Sequence, residues 1–120
     1  MAVDASFKAF IEDLLAEFGP VSIRDMFSGA GIYADGVMFA ILAGDTLYLK
    51  ADEDFAGEFG AEGKAPFEVS RKSGAPIALS YWDAPERLLD DPHELAVWAR
   101  LSLAVAQAAK TKPKPKKRVR

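Results

Sequence analysis

A single histidine, a run of three acids, a decapeptide with three glycines and a lysine-rich end are the places where this sequence could carry chemistry. His93 has no second histidine and no cysteine to work with, so neither a zinc site nor a local nucleophile and base pair can be assembled around it. It falls at the second position of a predicted helix, beside Glu94, where an exposed imidazole is ordinary. Asp52, Glu53 and Asp54 could hold a hard cation, because carboxylates suit Mg²⁺ or Ca²⁺. Their spacing fits no EF-hand loop, and acids at the head of a helix are favoured by its dipole, so the run reads as capping. Asp90-Asp91 reads the same way. No catalytic residue, metal or cofactor is expected from these groups.

The decapeptide Phe27 to Gly36, "FSGAGIYADG", poses a sharper choice. A dinucleotide cradle needs G-x-G-x-x-G between a strand and a helix, so that helix amides point at the pyrophosphate. Gly29, Gly31 and Gly36 instead give G-x-G-x4-G, followed by the strand-like "VMFAILAGDTLYLK". A nucleophile elbow needs G-x-S-x-G, and Met26 stands where the first glycine ahead of Ser28 should be. Both readings fail, which leaves hairpin chemistry. Asp35-Gly36 is a two-residue signal for a primed turn, whose central residues both take positive φ. Gly29 and Gly31 are expected to permit a bulge or the close approach of a neighbouring backbone.

Periodicity supplies the elements that position these residues. Between Asp4 and Phe18, the side chains of Phe7, Phe10, Ile11, Leu14, Leu15 and Phe18 gather on one helical face, and Gly19-Pro20 ends the run. "AGIYA", "VMFAILA" and "TLYLK" form a three-strand meander through Asp35-Gly36 and Gly44-Asp45, with a middle strand that is apolar on both sides. Asp52 to Asp54 open a short helix that Gly60 closes. "APFEVSRKSGAPIALSYW" reads as two strands about Lys72-Ser73-Gly74, with Phe67 and Val69 on one side and Leu79 and Tyr81 in the partner. Pro85 starts a helical turn, and "DPHE" opens the last helix with Asp91 as N-cap, Pro92 first and Glu94 third. Leu95, Trp98, Leu101, Ser102 and Val105 trace its face, broadened by Val97 and Leu103. The order α-β-β-β-α-β-β-α implies an α+β, two-layer fold, an antiparallel five-stranded sheet with flanking helices.

A hydrophobic fraction of 50% in 120 residues is enough for one core without staples. All 18 acids lie within residues 1–109 against eight bases there, a balance of −10, whereas residues 110–120 hold seven bases and no acid. The chain therefore divides into an acidic domain, 1–109, and a basic Lys/Pro-rich tail that is expected to be flexible. No basic leader precedes the first apolar run, and no run approaches the roughly 18 apolar residues of a membrane span. A cytoplasmic protein with no membrane contact is the expectation. The cations Lys110, Lys112, Lys114, Lys116, Lys117, Arg118 and Arg120 are candidates for nucleic-acid contact of a sequence-independent kind. If all of them engaged duplex DNA, log K would fall against log salt with a slope of about −6. The acidic domain repels the same duplex and can attract the tail to itself.

Arg24, Met26, Phe27, Gly29, Gly31, Ile32, Tyr33, Gly36, Phe39, Tyr48, Leu49 and Lys50 form a pattern that resembles the signature of the TfoX N-terminal domain family. Pro66-Phe67, "SYWDAPERLLDD" and Trp98 extend the match over roughly residues 5 to 108, and Ser28 departs from it where the family more often has glycine. The resemblance implies a two-layer α+β fold and membership in a group named for regulators of natural competence. Such regulators are similar to coactivators that assist the cyclic-AMP receptor protein, which implies a partner in the transcription machinery or a receptor-type transcription factor. They usually carry a second, helical domain; here the basic tail follows. Arg24, Tyr33, Tyr48 and Lys50 belong to the motif and are candidates for a partner surface, lining one face or edge of the sheet to receive an anionic or peptide partner. Alternatively, Arg24 pairs with Asp25 or Asp52 while the tyrosines pack their rings and keep their hydroxyls wet. The expected function is a non-enzymatic regulatory or interaction domain, with exposed strand edges as a route to a homodimer. A second reading is a small-ligand binder or enzyme with a pocket near Arg24 and Tyr48.

Overall fold

The computed structural model describes residues 3–26, 29–69, 74–75 and 77–111. Among them, β1 (Ser22–Met26), β2 (Gly29–Ala34), β3 (Val37–Ala43), β4 (Thr46–Lys50), β5 (Pro66–Val69) and β6 (Ile77–Asp83) form one sheet. The strand order is β1-β2-β3-β4-β6-β5, and every pairing is antiparallel. Three helices, α1 (Ala5–Leu14), α2 (Glu53–Ala61) and α3 (Pro92–Thr111), and a 3-10 turn at Glu86–Asp90 complete the α+β fold.

The sheet has six strands where periodicity predicts five. The added one, β1, is an edge strand of Ser-Ile-Arg-Asp-Met that is only partly buried at Ile23 and Met26, so it shows no sustained alternation to read. The meander turns as expected. Asp35 and Gly36 have φ of 53° and 76° and join the paired residues Ala34 and Val37, the doubly positive geometry of a primed turn. At the next turn only Gly44 of the pair is positive, at 62°. Lys72 and Ser73, expected in the β5-β6 connection, lie outside the described residues.

Helix ends follow their caps. Asp4 accepts from the Ser6 amide at 3.1 Å, Asp52 from Phe55 at 2.8 Å and Asp91 from Glu94 at 3.1 Å, each satisfying one of the amides that a helix leaves unpaired. The first helix stops at Leu14, short of the expected Phe18; turns carry the chain to Gly19, whose φ of 136° suits glycine. On α3 the buried stripe is Leu95, Trp98, Ala99, Ser102 and Ala106, while Leu101 and Val97 are 48% and 42% exposed, against expectation. Ala99, Ser102 and Ala106 let the helix approach the sheet closely beside Leu95 and Trp98, and Leu101 and Val97 fall outside that contact. The helix also runs through Lys110 and Thr111, so the first of the seven tail cations is an exposed helical residue.

All three helices lie on one side of the sheet. Ile11 and Leu15, Phe55 and Phe59, and Leu95 and Trp98 join Ile32, Phe39, Leu42, Leu47 and Leu49 in a single core. Phe59 anchors it, with Phe55 and Trp98 rings each 4.9 Å away in edge-on contact, a geometry worth about 0.5–1.5 kcal/mol per pair beyond burial. Within β3 the pairing skips a residue: Ile32 faces Ala40 and Tyr33 faces Met38, leaving Phe39 extra. This β-bulge turns Phe39 and Ala40 to the same, helix-covered side and bends the strand.

Candidate functional site

Among the described residues, the other side of the sheet carries no helix. Cross-strand register places Arg24 beside Gly31, Gly31 beside Ile41 and Ile41 beside Tyr48, while Tyr33 faces Met38 and Lys50 faces Tyr81. Side chains alternate along a strand, so these residues share the uncovered face with Met26, Phe67, Val69 and Leu79. The four candidate residues Arg24, Tyr33, Tyr48 and Lys50 are therefore brought to one surface.

A half-open trough of about 430 Å³ runs across it. Met26, Gly29, Met38, Ile41 and Ala43 form one wall and Phe67, Val69, Leu79 and Tyr81 the other, so strands from opposite ends of the sheet line one cavity. The sheet must curl to achieve this, and the bulge at Phe39 supplies local bending. Tyr81 spans the two walls: its hydroxyl donates to the Met38 carbonyl at 3.4 Å. Glycines make the packing possible. A Cβ on Gly29 would sit 2.5 Å from the Leu42 carbonyl oxygen, and one on Gly31 would sit 2.5 Å from Met38 Sδ and 3.2 Å from the Tyr33 ring.

The four candidate residues share the face with the trough without lining it, and Arg24 and Tyr33 line a separate hollow with Asp35. The Arg24 guanidinium lies over the Tyr33 ring, 4.7 Å from its centroid, and Lys50 Nζ lies 5.0 Å from the centre of Tyr81 while donating to Ser80 Oγ at 2.8 Å. Arg24 thus pairs with neither suggested acid: Asp25 takes Lys8 at 2.9 Å and Asp52 caps α2. Tyr48 stacks obliquely on Phe67, ring centroids 4.7 Å apart. Burial lowers the Lys50 pKa below its ordinary value, and burial raises that of Tyr48, with the nearby charge of Asp83 adding to it. Burial pushes the Tyr81 hydroxyl up to about 12, helped by Tyr33.

Met26, Met38, Phe67, Val69, Leu79 and Tyr81 extend the site beyond the residues that sequence reasoning singled out. The alternation of Phe67 with Val69 and of Leu79 with Tyr81 was the available signal; it fixes a shared side of each strand but not which strands meet. The remaining candidates are elsewhere. His93 Nδ1 is 2.6 Å from Glu17 Oε2 on the helical layer. Lys112, Lys114, Lys116, Lys117, Arg118 and Arg120 lie outside the described residues, as do Phe27 and Ser28. Among the described residues, no helix is long and apolar enough to cross a membrane.

The family model of the TfoX N-terminal domain matches residues 13–106, which takes in the whole sheet, all of α2, most of α3 and the end of α1. The chain belongs to that family. No curated protein sequence matches it. In this TfoX N-terminal domain, the motif residues Arg24, Tyr33, Tyr48 and Lys50 all stand on the helix-free face.

Proposed function

We propose that this TfoX N-terminal domain is a non-enzymatic regulatory module, of the transcription-regulator type, that engages a protein partner through the helix-free face of its sheet. One observation carries the reading: an apolar trough built from five strands opens to solvent on the same face as two tyrosine-stacked cations. Methionines suit such a role, because an unbranched thioether adapts to different contours. The receptor-type transcription factors or transcription machinery implied by the family resemblance are the partner class to test first. The basic tail adds sequence-independent affinity for DNA.

The partner reading is tested by affinity capture with the intact chain, the Leu79→Asp and Met26→Asp variants, and an Arg100→Glu control at an exposed position of α3. Circular dichroism and melting temperature establish that each variant is folded. Loss of the captured protein with both face variants and retention with the control supports the face; equal capture by all removes it. For the tail, gel shifts in low salt compare the intact chain with one ending at Thr111, which keeps α3 whole. Equal shifts eliminate DNA binding by the tail.

The trough also supports a second reading, because 430 Å³ falls within the range of small-ligand sites, about 300–1,000 Å³. A thermal-shift screen against nucleotides and metabolites separates the two. A large, saturable stabilisation by one compound that disappears in Leu79→Asp favours the ligand.

A further inference from the structure

Resting on the protein-partner reading, we infer that the occupant of the trough is an amphipathic helix with acidic flanks, its apolar stripe in the groove and carboxylates meeting Arg24 and Lys50. Charge is the first argument. The domain as a whole is strongly acidic, yet the strands of this face present Arg24 and Lys50 with no carboxylate in salt-bridge contact among the described residues. Among the described residues, Asp83 is the one strand acid on the face, and Lys64 lies 3.5 Å from it.

Both cations are also held in place. Arg24 is stacked on Tyr33, which leaves its in-plane N–H fork to meet a carboxylate, and Lys50 is steadied by Tyr81 and Ser80. Pre-positioned donors lose less rotamer freedom when they bind.

Width is the second argument. Arg24 is on β1 and Lys50 on β4, three strand spacings apart in the sheet order. At about 4.8 Å per spacing this is roughly 14 Å across the sheet, and because Lys50 lies two residues, about 7 Å, along from the Tyr48 that is level with Arg24, the two positions are roughly 16 Å apart. A helix is about 10–12 Å across with its side chains, so carboxylates projecting from it can reach both cations while its stripe meets the trough residues next to them, Met38 opposite Tyr33 and Tyr81 beneath Lys50. A fatty-acid-like ligand has one head group and can satisfy only one cation. A second copy docking face to face would bring two more cations and only Asp83, already beside Lys64, to meet them, and the basic tail of this chain has the wrong sign.

The test uses the full chain and two synthetic sixteen-residue helices with one shared Leu/Ile stripe, flanked by glutamates in the first and lysines in the second. Binding is measured by calorimetry, and backbone amide NMR shifts locate it. The acidic helix is expected to bind at least tenfold more tightly than the basic one, with shifts confined to the strands of the sheet, including Phe67 and Val69 of β5, and absent from α1 and α3. In the folded Arg24→Glu, Lys50→Glu double variant the preference is expected to invert. Equal affinity for the two helices, or an acidic helix indifferent to charge reversal, overturns the inference. So does saturable binding of decanoate at this face when neither helix binds. Face-dependent capture of a protein, with no preference for acidic flanks, leaves the partner reading standing while removing this one.

Discussion

Arg24 faces Gly31 across the β1-β2 ladder, the Tyr33 ring leans into the space that a side chain on Gly31 would take, and the guanidinium lies 4.7 Å from the centre of that ring. The cation is fixed by an aromatic face, a contact worth about 0.5–1 kcal/mol at an exposed site. Tyr33→Leu should therefore cost about that much stability or less and release the guanidinium. NMR relaxation of the Arg24 Nε–H group reads the second effect: its order parameter is expected to fall in Tyr33→Leu. An unchanged order parameter would show that something else holds the side chain.

Gly29 and Gly31 should respond differently to alanine. At Gly29 the new Cβ meets the carbonyl oxygen of Leu42, which belongs to a paired central strand and cannot move aside. At Gly31 it meets the Met38 thioether first, the far end of a flexible side chain. Gly29→Ala is expected to cost about 3 kcal/mol and Gly31→Ala about 1 kcal/mol, the upper and lower parts of the overpacking range. Urea denaturation of both variants checks the order, and the reverse order contradicts the packing described.

The sheet was legible in sequence where the information is local. Asp35-Gly36 fixes its own turn because two positive φ values have few other residue choices, and Asp4, Asp52 and Asp91 cap helices with side chains that reach only a few residues onward. Less was legible where distant segments decide. Ile23 and Met26 are only partly covered in β1, too little for a periodic signal, and Leu101 is left out of the core by how α3 crosses the sheet. The site shows the same division. Motif residues named four members of the uncovered face, but the trough on that face depends on β6 inserting beside β4 and carrying β5 outward, a pairing that no local spacing encodes.

Tyr81 makes the alkaline limb of stability testable. Its hydroxyl ionises near 12 in the fold against the ordinary value of 10.0, so between those values the native state keeps a proton that the unfolded chain has lost. Its stabilising contribution is complete below about pH 10 and is lost as pH rises through about 12. Urea midpoints should fall more steeply from pH 9 to pH 11.5 in the wild type than in Tyr81→Phe. Ultraviolet titration should show one of the three tyrosines ionising last and that step missing in the variant.

Ser102 is fully buried on α3, and among the described residues its Oγ has no hydrogen-bond partner. A hydroxyl removed from water without a partner is a cost, and alanine is the better helix former. Ser102→Ala is expected to raise stability by about 1 kcal/mol in chemical denaturation. A loss of stability would mean that the hydroxyl is satisfied in solution.

The extra residue in β3 separates two properties that usually change together. Val37 and Phe39 point to the helices on one side of the irregularity, Ala40 and Leu42 on the other, so removing position 39 would leave every remaining side chain of the strand on its present side. Substituting Phe39 alters what fills the core against Phe18, whereas deleting it would straighten the ladder. Chain length at this one point, independent of hydrophobicity, sets the curvature of the surface on the far side.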